Sequence, residues 1–482
     1  MNYKMMGHFI AQILTIEGLF MIPALILSLV YGETGAMYGF LYTIAAIAAT
    51  VALLSLLCRG APSAFYAREG LVCVGVSWIV LSLYGCLPFW ISREIPAFID
   101  AFFEIVSGFT TTGSSILTNV EGLSRSLLYW RSFSHWLGGM GVLVFLLAFT
   151  GEKGKGFTMH LLRAESPGPD VGKLVPKMRT TASILYVIYI AMTILNFIFL
   201  IIGDMPVFDA VCTALGTSGT GGFGIKNDSM ASYSPYIQNV TSIFMLLFGI
   251  NFSCYYLLLL GNFRSVFKDE ELRVYIGLIL ASITLIVINL GDFYPTLEET
   301  IRHAAFSVAT LISSTGFAST DFDLWPTFSK SILMILMLIG ACAGSTGGGL
   351  KVARLMLLAK GLRRNISQTL NPRKVMVIRN NGNIIGEKVL DNTNAYLAAY
   401  VIIIFVSYVL ISLDNFSIAT NFTAVLACFN NMGPGFEAVG PTCNFSAYST
   451  FSKLVLCFDM LAGRLEIFPI LVLFSRNTWL HK

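Results

Sequence analysis

The sequence predicts an all-α polytopic membrane protein in which four tandem helix–pore loop–helix units surround a central pore, preceded by two extra N-terminal transmembrane helices. The first observation is composition: 55% of the 482 residues are hydrophobic, 12% are charged, and the mean hydropathy is +0.74. A soluble chain of this length could not bury so much apolar surface. The second observation is a glycine-containing motif that recurs four times, each time between two long apolar segments.

Ten apolar segments are each about long enough to cross the hydrocarbon layer, which requires roughly 20 helical residues. They lie near 8–30, 37–58, 71–91, 133–150, 181–202, 237–260, 273–290, 331–350, 394–413 and 453–475. The first two precede every copy of the motif and form the predicted N-terminal pair. We therefore divide the chain into this pair at 1–62 and four pore units at 63–165, 166–268, 269–371 and 372–482.

The basic residues predict the orientation of the chain in the membrane. The connections 59–68, 151–180, 261–273 and 351–390, together with both termini, bring 23 of the 31 Lys and Arg to one side, and seven lie on the other. Basic loops stay in the cytoplasm. We therefore expect a multi-pass protein of the bacterial inner membrane with a cytoplasmic N-terminus and all four glycine loops on the outer half. The net charge of +4 follows from this topology and requires no nucleic-acid partner.

Each copy of the motif follows a short apolar helix. The copies are GFTTTGSS at 108–115, GTGGF at 219–223, SSTGF at 313–317 and NNMGP at 430–434. Counting back 13 residues from each loop glycine reaches a residue that we expect to begin the short helix, namely Asp100, Asp209, His303 and Thr420. Each helix then points its C-terminal, partly negative end toward a glycine, which favours a cation.

Four such loops in phase favour a selectivity filter over ordinary turns. One loop alone would more often be a turn or a helix-packing site. Four loops framed by spanning helices can turn backbone carbonyls toward a central path, where they replace the hydration shell of a potassium ion. Glycine suits this role because it tolerates positive φ and carries no Cβ to crowd the path.

These residues resemble a known family. The four loops are similar to the filter loops of the Trk/Ktr/HKT potassium transporter superfamily. Three longer stretches, ESPGP at 165–169, GSTGGGLK at 344–351 and LAGRLEI at 461–467, are similar to its TrkH/TrkG branch. The resemblance extends over essentially the whole chain. The second loop departs a little, with Ser218-Gly219-Thr220 ahead of the paired glycines.

The resemblance implies channel-like potassium uptake through the filter. The implied filter residues, which bind potassium through backbone carbonyls, are Thr111, Thr112, Gly113, Gly221, Gly222, Thr315, Gly316, Asn431, Met432 and Gly433. Glycine at all four central positions is similar to members of the family that prefer potassium. The resemblance also implies a homodimer and a cytosolic TrkA-like regulatory subunit. We expect any nucleotide to bind only that partner, and no covalently bound cofactor.

A run of glycines predicts a break in the second helix of the third unit. Three consecutive glycines, 347–349, cannot hold a stable helix, and non-helical backbone at membrane depth is tolerated only inside protein or beside water. The resemblance implies an intramembrane gating loop formed by Gly344, Ser345, Thr346, Gly347, Gly348 and Gly349. A packing kink is the alternative. A phosphate-binding loop is disfavoured, because Lys351 stands one place too late and no βαβ pattern surrounds it.

One charged residue falls inside the last apolar segment. Arg464 stands close to Asp459 and Glu466, and an ionisable residue at that depth faces a cavity or a partner. The resemblance implies that it projects into the pore below the filter and acts with the loop in gating. The alternative is a structural ion pair with Asp459 or Glu466. His135, beside a membrane segment, is expected to pack at the interface.

Two functional classes stay open. The first is the channel-like pathway driven mainly by membrane potential; the second is a potassium symporter coupled to protons or sodium. Coupled carriers generally show inverted repeats around a midplane site, whereas these repeats run in parallel, which favours the pore. No paired carboxylates or Ser–His–Asp arrangement indicates a catalytic site, so we expect no enzyme activity.

Overall fold

The computed structural model describes residues 1–60, 67–139, 141 and 178–479, and this part of the chain is almost entirely helical. Helices α1 (Tyr3–Tyr31) and α2 (Thr34–Leu57) form the predicted N-terminal pair. They are joined by a tight turn in which Gly32 has φ 70°, a conformation that glycine adopts without penalty. The predicted fold class, an all-α polytopic membrane protein, is confirmed.

The remaining described chain repeats one order: a long apolar helix, a short buried helix, a glycine loop and a further helix. The first set comprises α3 (Ala67–Gly85), α4 (Leu87–Ile91), α5 (Phe98–Phe109) and α6 (Arg125–Gly139). The second comprises α7 (Met178–Ile202), α8 (Val207–Gly219), α9 (Pro235–Phe248), α10 (Phe252–Leu259) and α11 (Phe263–Lys268). The third comprises α12 (Glu270–Leu290), α13 (Leu297–Ile312), α14 (Thr327–Ile339) and α15 (Val352–Leu370). The fourth comprises α16 (Glu387–Ile411), α17 (Ile418–Phe429), α18 (Thr450–Arg464), α19 (Phe468–Phe474) and α20 (Arg476–Trp479).

Within the described ranges, six helices are long and apolar enough to cross a membrane, and a bent pair, α9 with α10, makes a seventh. The outer helices expose large apolar side chains, such as Val187, Ile288 and Ile402, at more than half of their surface. Lipid tails cover such side chains in a membrane protein. The predicted span at 133–150 and the motif at 165–169 lie partly or wholly outside the described residues, and the division into units stays a prediction.

The four short helices, α5, α8, α13 and α17, lie at the centre and are buried over most of their length. The prediction that they begin at Asp100, Asp209, His303 and Thr420 is wrong. Asp100, Asp209 and Thr420 lie within the first turn, and His303 lies well inside α13. Hydroxyl side chains at 296 and 417 cap α13 and α17 by accepting backbone N–H groups, so the true caps precede the residues that spacing selected.

Three segments predicted as spans are broken. The segment 237–260 bends by 91° between α9 and α10, where Asn251 caps the second helix. The segment 331–350 leaves the helix after Ile339. The segment 453–475 breaks after Arg464, because Glu466 and Ile467 both have positive φ. Arg464 is therefore the last residue of a helix, and not part of a continuous one as predicted.

A small β-hairpin lies in the connection between α15 and α16. Strand β1 (Arg379–Asn380) pairs antiparallel with β2 (Asn383–Ile384). Its turn has positive φ at Asn381 (48°) and Gly382 (81°), as an Asn-Gly hairpin turn requires. Short 3₁₀ turns at Phe322–Leu324, Ser412–Asp414 and Glu437–Val439 complete the described structure.

Candidate functional site

The four glycine loops follow the same backbone path. In each loop the glycine has positive φ, and so does the residue two places before it: 58° and 84° at Thr111 and Gly113, 54° and 71° at Thr220 and Gly222, 57° and 99° at Ser314 and Gly316, 52° and 86° at Asn431 and Gly433. Left-handed Thr and Ser are costly and persist where the surrounding structure enforces them. The loops are therefore four copies of one constrained turn.

A repeated hydrogen bond explains this path. The residue before each glycine donates its N–H to the carbonyl five positions earlier, at the end of the short helix. These bonds are Thr112 to Ser107 (2.9 Å), Gly221 to Gly216 (2.9 Å), Thr315 to Thr310 (2.8 Å) and Met432 to Ala427 (2.9 Å). This is the Schellman arrangement, which closes a helix through one left-handed residue. The chain is thereby reversed at the same point of all four loops.

The loops meet in a closed ring. A Cβ added to Gly113 would lie 2.1 Å from the carbonyl oxygen of Gly221 in the next loop. The equivalent contacts run from Gly222 to Thr315 O (2.1 Å), from Gly316 to Met432 O (2.7 Å) and from Gly433 back to Thr112 O (3.0 Å). Each glycine is thus packed against the carbonyl that precedes the next glycine, and the fourth returns to the first.

The structure therefore brings together the residues predicted for a filter. The four carbonyls at the loop junctions belong to residues 112, 221, 315 and 432, one from each loop. Thr111 and Asn431 are the left-handed residues one step before that ring. Asn431 also ties two loops, because its Nδ2 donates to Thr112 Oγ1 at 3.0 Å and to Met460 O at 2.9 Å.

A cavity of about 180 Å³ lies on one side of the ring and is lined by all four loop glycines. Its wall also includes Lys226 and the exposed thiol of Cys443. Near this wall, hydrogen bonds from Ser417 and Thr420 hold the pKa of Glu437 below its usual range, so its carboxylate stays charged. The cavity therefore opens directly onto the ring of loop glycines.

A buried ion pair supports the ring from behind. Glu104 of α5 and Arg131 of α6 lie 2.6 Å apart, with 0% and 3% of their side chains exposed. Glu104 also accepts the N–H of Ile116 at 2.9 Å, just after the first loop. Arg131 stacks 3.5 Å above the Phe223 ring and donates to Gly224 O at 2.7 Å, just after the second loop. One ion pair therefore positions two neighbouring loops.

Sequence reasoning missed this pair, although charged residues inside apolar helices are a usable signal. It also misjudged His135, which is fully buried and not interfacial. The His135 ring packs against Phe223 with centroids 4.1 Å apart, and its Nδ1 lies 2.8 Å from Gly108 O. A Cβ on Gly221 would strike this ring. Histidine therefore backs the second loop, where its contacts require a glycine.

The predicted break after α14 forms a loop directly behind the ring. Residues 340–351, here called the intramembrane loop, are not helical. A Cβ on Gly347 would lie 2.6 Å from Ser313 O, and one on Gly348 would lie 2.1 Å from Asn430 O. These glycines therefore allow the loop to touch the third and fourth filter turns. The loop contacts lie inside the protein, as expected for non-helical backbone at this depth.

Arg464 joins this loop to the first unit. Its Nη1 donates to Thr346 O at 2.9 Å, and its Nη2 donates to Gly139 O at 2.7 Å and to Gly138 O. The expected alternative, an ion pair with Asp459 or Glu466, is not formed. Glu466 instead pairs with Arg354, and Asp459 accepts the hydroxyl of Ser407 at 2.6 Å. The guanidinium therefore satisfies carbonyls of α6 and of the intramembrane loop.

Comparison with known proteins gives one consistent result. The model of the family TrkH, described as cation transport protein, matches residues 37–479. The Trk system potassium uptake protein TrkH of Salmonella typhimurium is 36% identical over 421 residues, covering 86% of both chains. The protein of the same name from Escherichia coli K12 is 34% identical over 476 residues, covering 97% of both. The crystal structure of the potassium transporter TrkH from Vibrio parahaemolyticus superposes with a TM-score of 0.90 at 28% identity, covering 100% of both chains.

Proposed function

This chain belongs to the TrkH family of cation transport proteins, and from that premise we propose that it takes up potassium ions across the cytoplasmic membrane of a bacterium. The proposed route is channel-like and passes through the ring of four glycine loops. The observation that carries the proposal is the cyclic contact of each loop glycine with the carbonyl of the next loop. Membrane ion transporters of this kind are not classed as enzymes.

The chemistry of the ring suits potassium. Backbone carbonyls can replace the hydration shell of the ion without the help of a charged side chain. The C-terminal ends of α5, α8, α13 and α17 lead into the four loops, and the partial negative charge at these ends favours a cation. A membrane potential of about 100 mV contributes roughly 2.3 kcal/mol per ion, which supports uptake without a coupled ion.

The intramembrane loop and Arg464 are the proposed gate. The loop contacts the inner side of two filter turns through Gly347 and Gly348, and Arg464 fastens it through Thr346 O. A guanidinium just inside the filter also repels a potassium ion that leaves it. Displacing the loop would therefore open the path and move a positive charge away from it.

We further propose a homodimer with a cytoplasmic N-terminus, regulated by a cytosolic nucleotide-binding subunit. The names of the relatives assign them to a Trk system, which supports a multi-component assembly. The described connection between α15 and α16 is largely exposed and carries Arg373, Lys374 and Arg379. This basic surface supports a cytoplasmic position by the distribution of charge.

Planar-bilayer recording of the purified protein tests the proposal. We expect unitary potassium currents that follow the applied potential, without proton or sodium movement locked to each ion. Gly222→Ala should abolish them, because its Cβ would lie 2.1 Å from Thr315 O. Gly32→Ala is the matched control: its φ of 70° equals that of Gly222 (71°) within a degree, and its Cβ meets open space. Fixed ion-to-ion stoichiometry without unitary currents would refute the channel-like route.

A further inference from the structure

One carboxylate joins the two ends of the intramembrane loop. Glu271, the second residue of α12, is 9% exposed. Its Oε1 accepts the N–H of Ala343 at 2.6 Å and the N–H of Ala353 at 3.1 Å. Ala343 lies in the first half of the loop, and Ala353 lies in the first turn of α15. We propose that Glu271 is a positioning residue that holds the loop closed, and that the hairpin at 379–384 clamps the segment that carries it.

The contact brings two separate parts of the chain to one side-chain oxygen. Ala353 N lies in the first turn of α15, and an acceptor at a helix N-terminus gains from the helix dipole. The first half of the loop has additional bonds to the bend between α9 and α10: Cys342 N donates to Gly249 O and Phe252 N donates to Gly344 O, both at 3.0 Å. The second half is held as well, because Lys351 N donates to Ile339 O at 2.8 Å and Val352 N donates to Ala341 O at 3.1 Å. Glu271 therefore acts as a bridge between the two ends, and losing it would loosen both.

The two residues before Glu271 bind the tip of the hairpin. Asp269 Oδ2 accepts Asn381 Nδ2 at 2.7 Å. Glu270 N donates to Asn381 Oδ1 at 2.9 Å, and Asn381 N donates back to Glu270 Oε1 at 3.2 Å. One turn residue thus makes three hydrogen bonds to two consecutive residues. The hairpin therefore fixes the start of α12, immediately before the residue that holds the loop.

A third element meets the same point. Lys360 of α15 pairs with Glu270 and also donates to Arg379 O in the hairpin at 2.8 Å. Helix α15 directly follows the intramembrane loop, so the loop, its following helix and the hairpin converge on residues 269–271. A displacement of the exposed hairpin would move this segment and withdraw the carboxylate from both amides. The hairpin is accordingly the lever through which a cytoplasmic event opens the path, an inference that rests on the proposed function.

Potassium flux into liposomes, measured without any second protein, tests this inference. We expect Glu271→Ala to raise basal flux roughly tenfold, which corresponds to about 1.4 kcal/mol in the balance between closed and open loops. Glu271→Gln should raise it less, because it keeps an acceptor oxygen. Asn381→Gly removes the amide and keeps the left-handed backbone, and should also raise flux. If the hairpin acts through Glu271, the double variant should equal Glu271→Ala alone.

A control variant separates positioning from general damage. Glu387→Ala removes a largely exposed carboxylate that pairs with Arg364 and contacts neither the hairpin nor residues 269–271. This variant should leave flux unchanged. The labelling rate of Cys342, a 1% exposed thiol inside the loop, should rise in Glu271→Ala and Glu271→Gln when followed by mass spectrometry. The ratio of potassium to sodium permeability should stay unchanged, because the filter is untouched.

The outcomes distinguish this inference from the proposed function. Additive effects of Glu271→Ala and Asn381→Gly would overturn the lever. Unchanged flux and unchanged Cys342 labelling in a folded Glu271→Gln protein would overturn the positioning role, provided that shortening residues 343–349 still raises flux. Potassium flux absent from the wild type and from the shortened loop would instead refute the proposed function itself.

Discussion

Replacing the four loop glycines with serine should reduce potassium selectivity in a graded order. All four have φ between 71° and 99°, so each replacement carries a backbone strain of roughly 1–3 kcal/mol. The backbone strain is similar at all four positions, so the positions differ in how closely the new Cβ approaches the neighbouring carbonyl oxygen. The added Cβ would lie 2.1 Å from that oxygen at Gly113 and Gly222, 2.7 Å at Gly316 and 3.0 Å at Gly433.

These distances convert into displacements of the ring. Nonbonded carbon and oxygen atoms rarely approach within about 3.0 Å. The carbonyl facing Gly113 or Gly222 must therefore move by about 0.9 Å, the one facing Gly316 by about 0.3 Å, and the one facing Gly433 hardly at all. A shift of nearly 1 Å removes that oxygen from its ion-coordinating position. We expect the ratio of potassium to sodium permeability to fall at least roughly tenfold in Gly113→Ser and Gly222→Ser.

The assay is the reversal potential in bilayers under potassium on one side and sodium on the other. Gly261→Ser serves as the control, because its φ of 76° imposes the same strain while its Cβ meets open space. Each protein is first shown to be monodisperse and folded, with a thermal stability no lower than that of Gly261→Ser. The reasoning fails if Gly433→Ser reduces selectivity as much as Gly113→Ser, or if Gly113→Ser leaves the relative permeabilities unchanged.

Three further predictions concern residues around the ring. Arg464→Ala should raise potassium flux severalfold, because it removes the bonds that fasten the intramembrane loop to α6, and should lower the free energy of unfolding by about 1–3 kcal/mol, because carbonyls lose their donor; lower stability with no gain in flux would contradict its role as a barrier. Arg131→Met should lower the free energy of unfolding by about 3–5 kcal/mol, because Glu104 is left buried and unpaired. The double variant, Arg131→Met with Glu104→Leu, should regain much of the stability but not the selectivity. Full selectivity in the double variant would show that the pair does not position the loops. A cationic thiol reagent added outside should reduce flux by reacting with Cys443 in the cavity that the four loop glycines line, and Cys443→Ser should abolish this inhibition. Equal inhibition of both proteins would place the thiol away from the ion path.

The sequence predicted the membrane class, the phase of the four loops and the break after α14 because these depend on local chemistry. A long apolar run predicts a membrane span, and a run of glycines destabilises a helix. Equally spaced copies of a motif predict equivalent turns. Each of these effects arises within one segment of the chain. The same reasoning misplaced the starts of the short helices. Asp100 and Asp209 are good caps by residue type, but an acidic residue is equally favourable within the first turn, and spacing does not separate the two positions.

The sequence could not predict which groups each buried charged residue contacts, because those groups come from distant segments. Arg464 stands two residues from Glu466, yet Glu466 pairs with Arg354 and Arg464 meets carbonyls of α6 and of the intramembrane loop. Helix α18 ends at Arg464, and Glu466 and Ile467 have positive φ. The side chains of Arg464 and Glu466 therefore point to different surroundings although they are close in sequence. A buried charge selects the groups that the assembled fold brings within hydrogen-bond distance.

The sequence alone therefore determined that four glycine loops exist and that each ends a short helix. Only the tertiary structure decided that Gly113, Gly222, Gly316 and Gly433 each pack against the carbonyl of the next loop and close a ring. It also decided that the ion pair of Glu104 with Arg131 holds two loops, and that Glu271 holds both ends of the intramembrane loop. The physical reason is range: turn geometry is set by a few adjacent residues, whereas a ring and its supports require segments tens to hundreds of residues apart to meet at distances of a few ångströms.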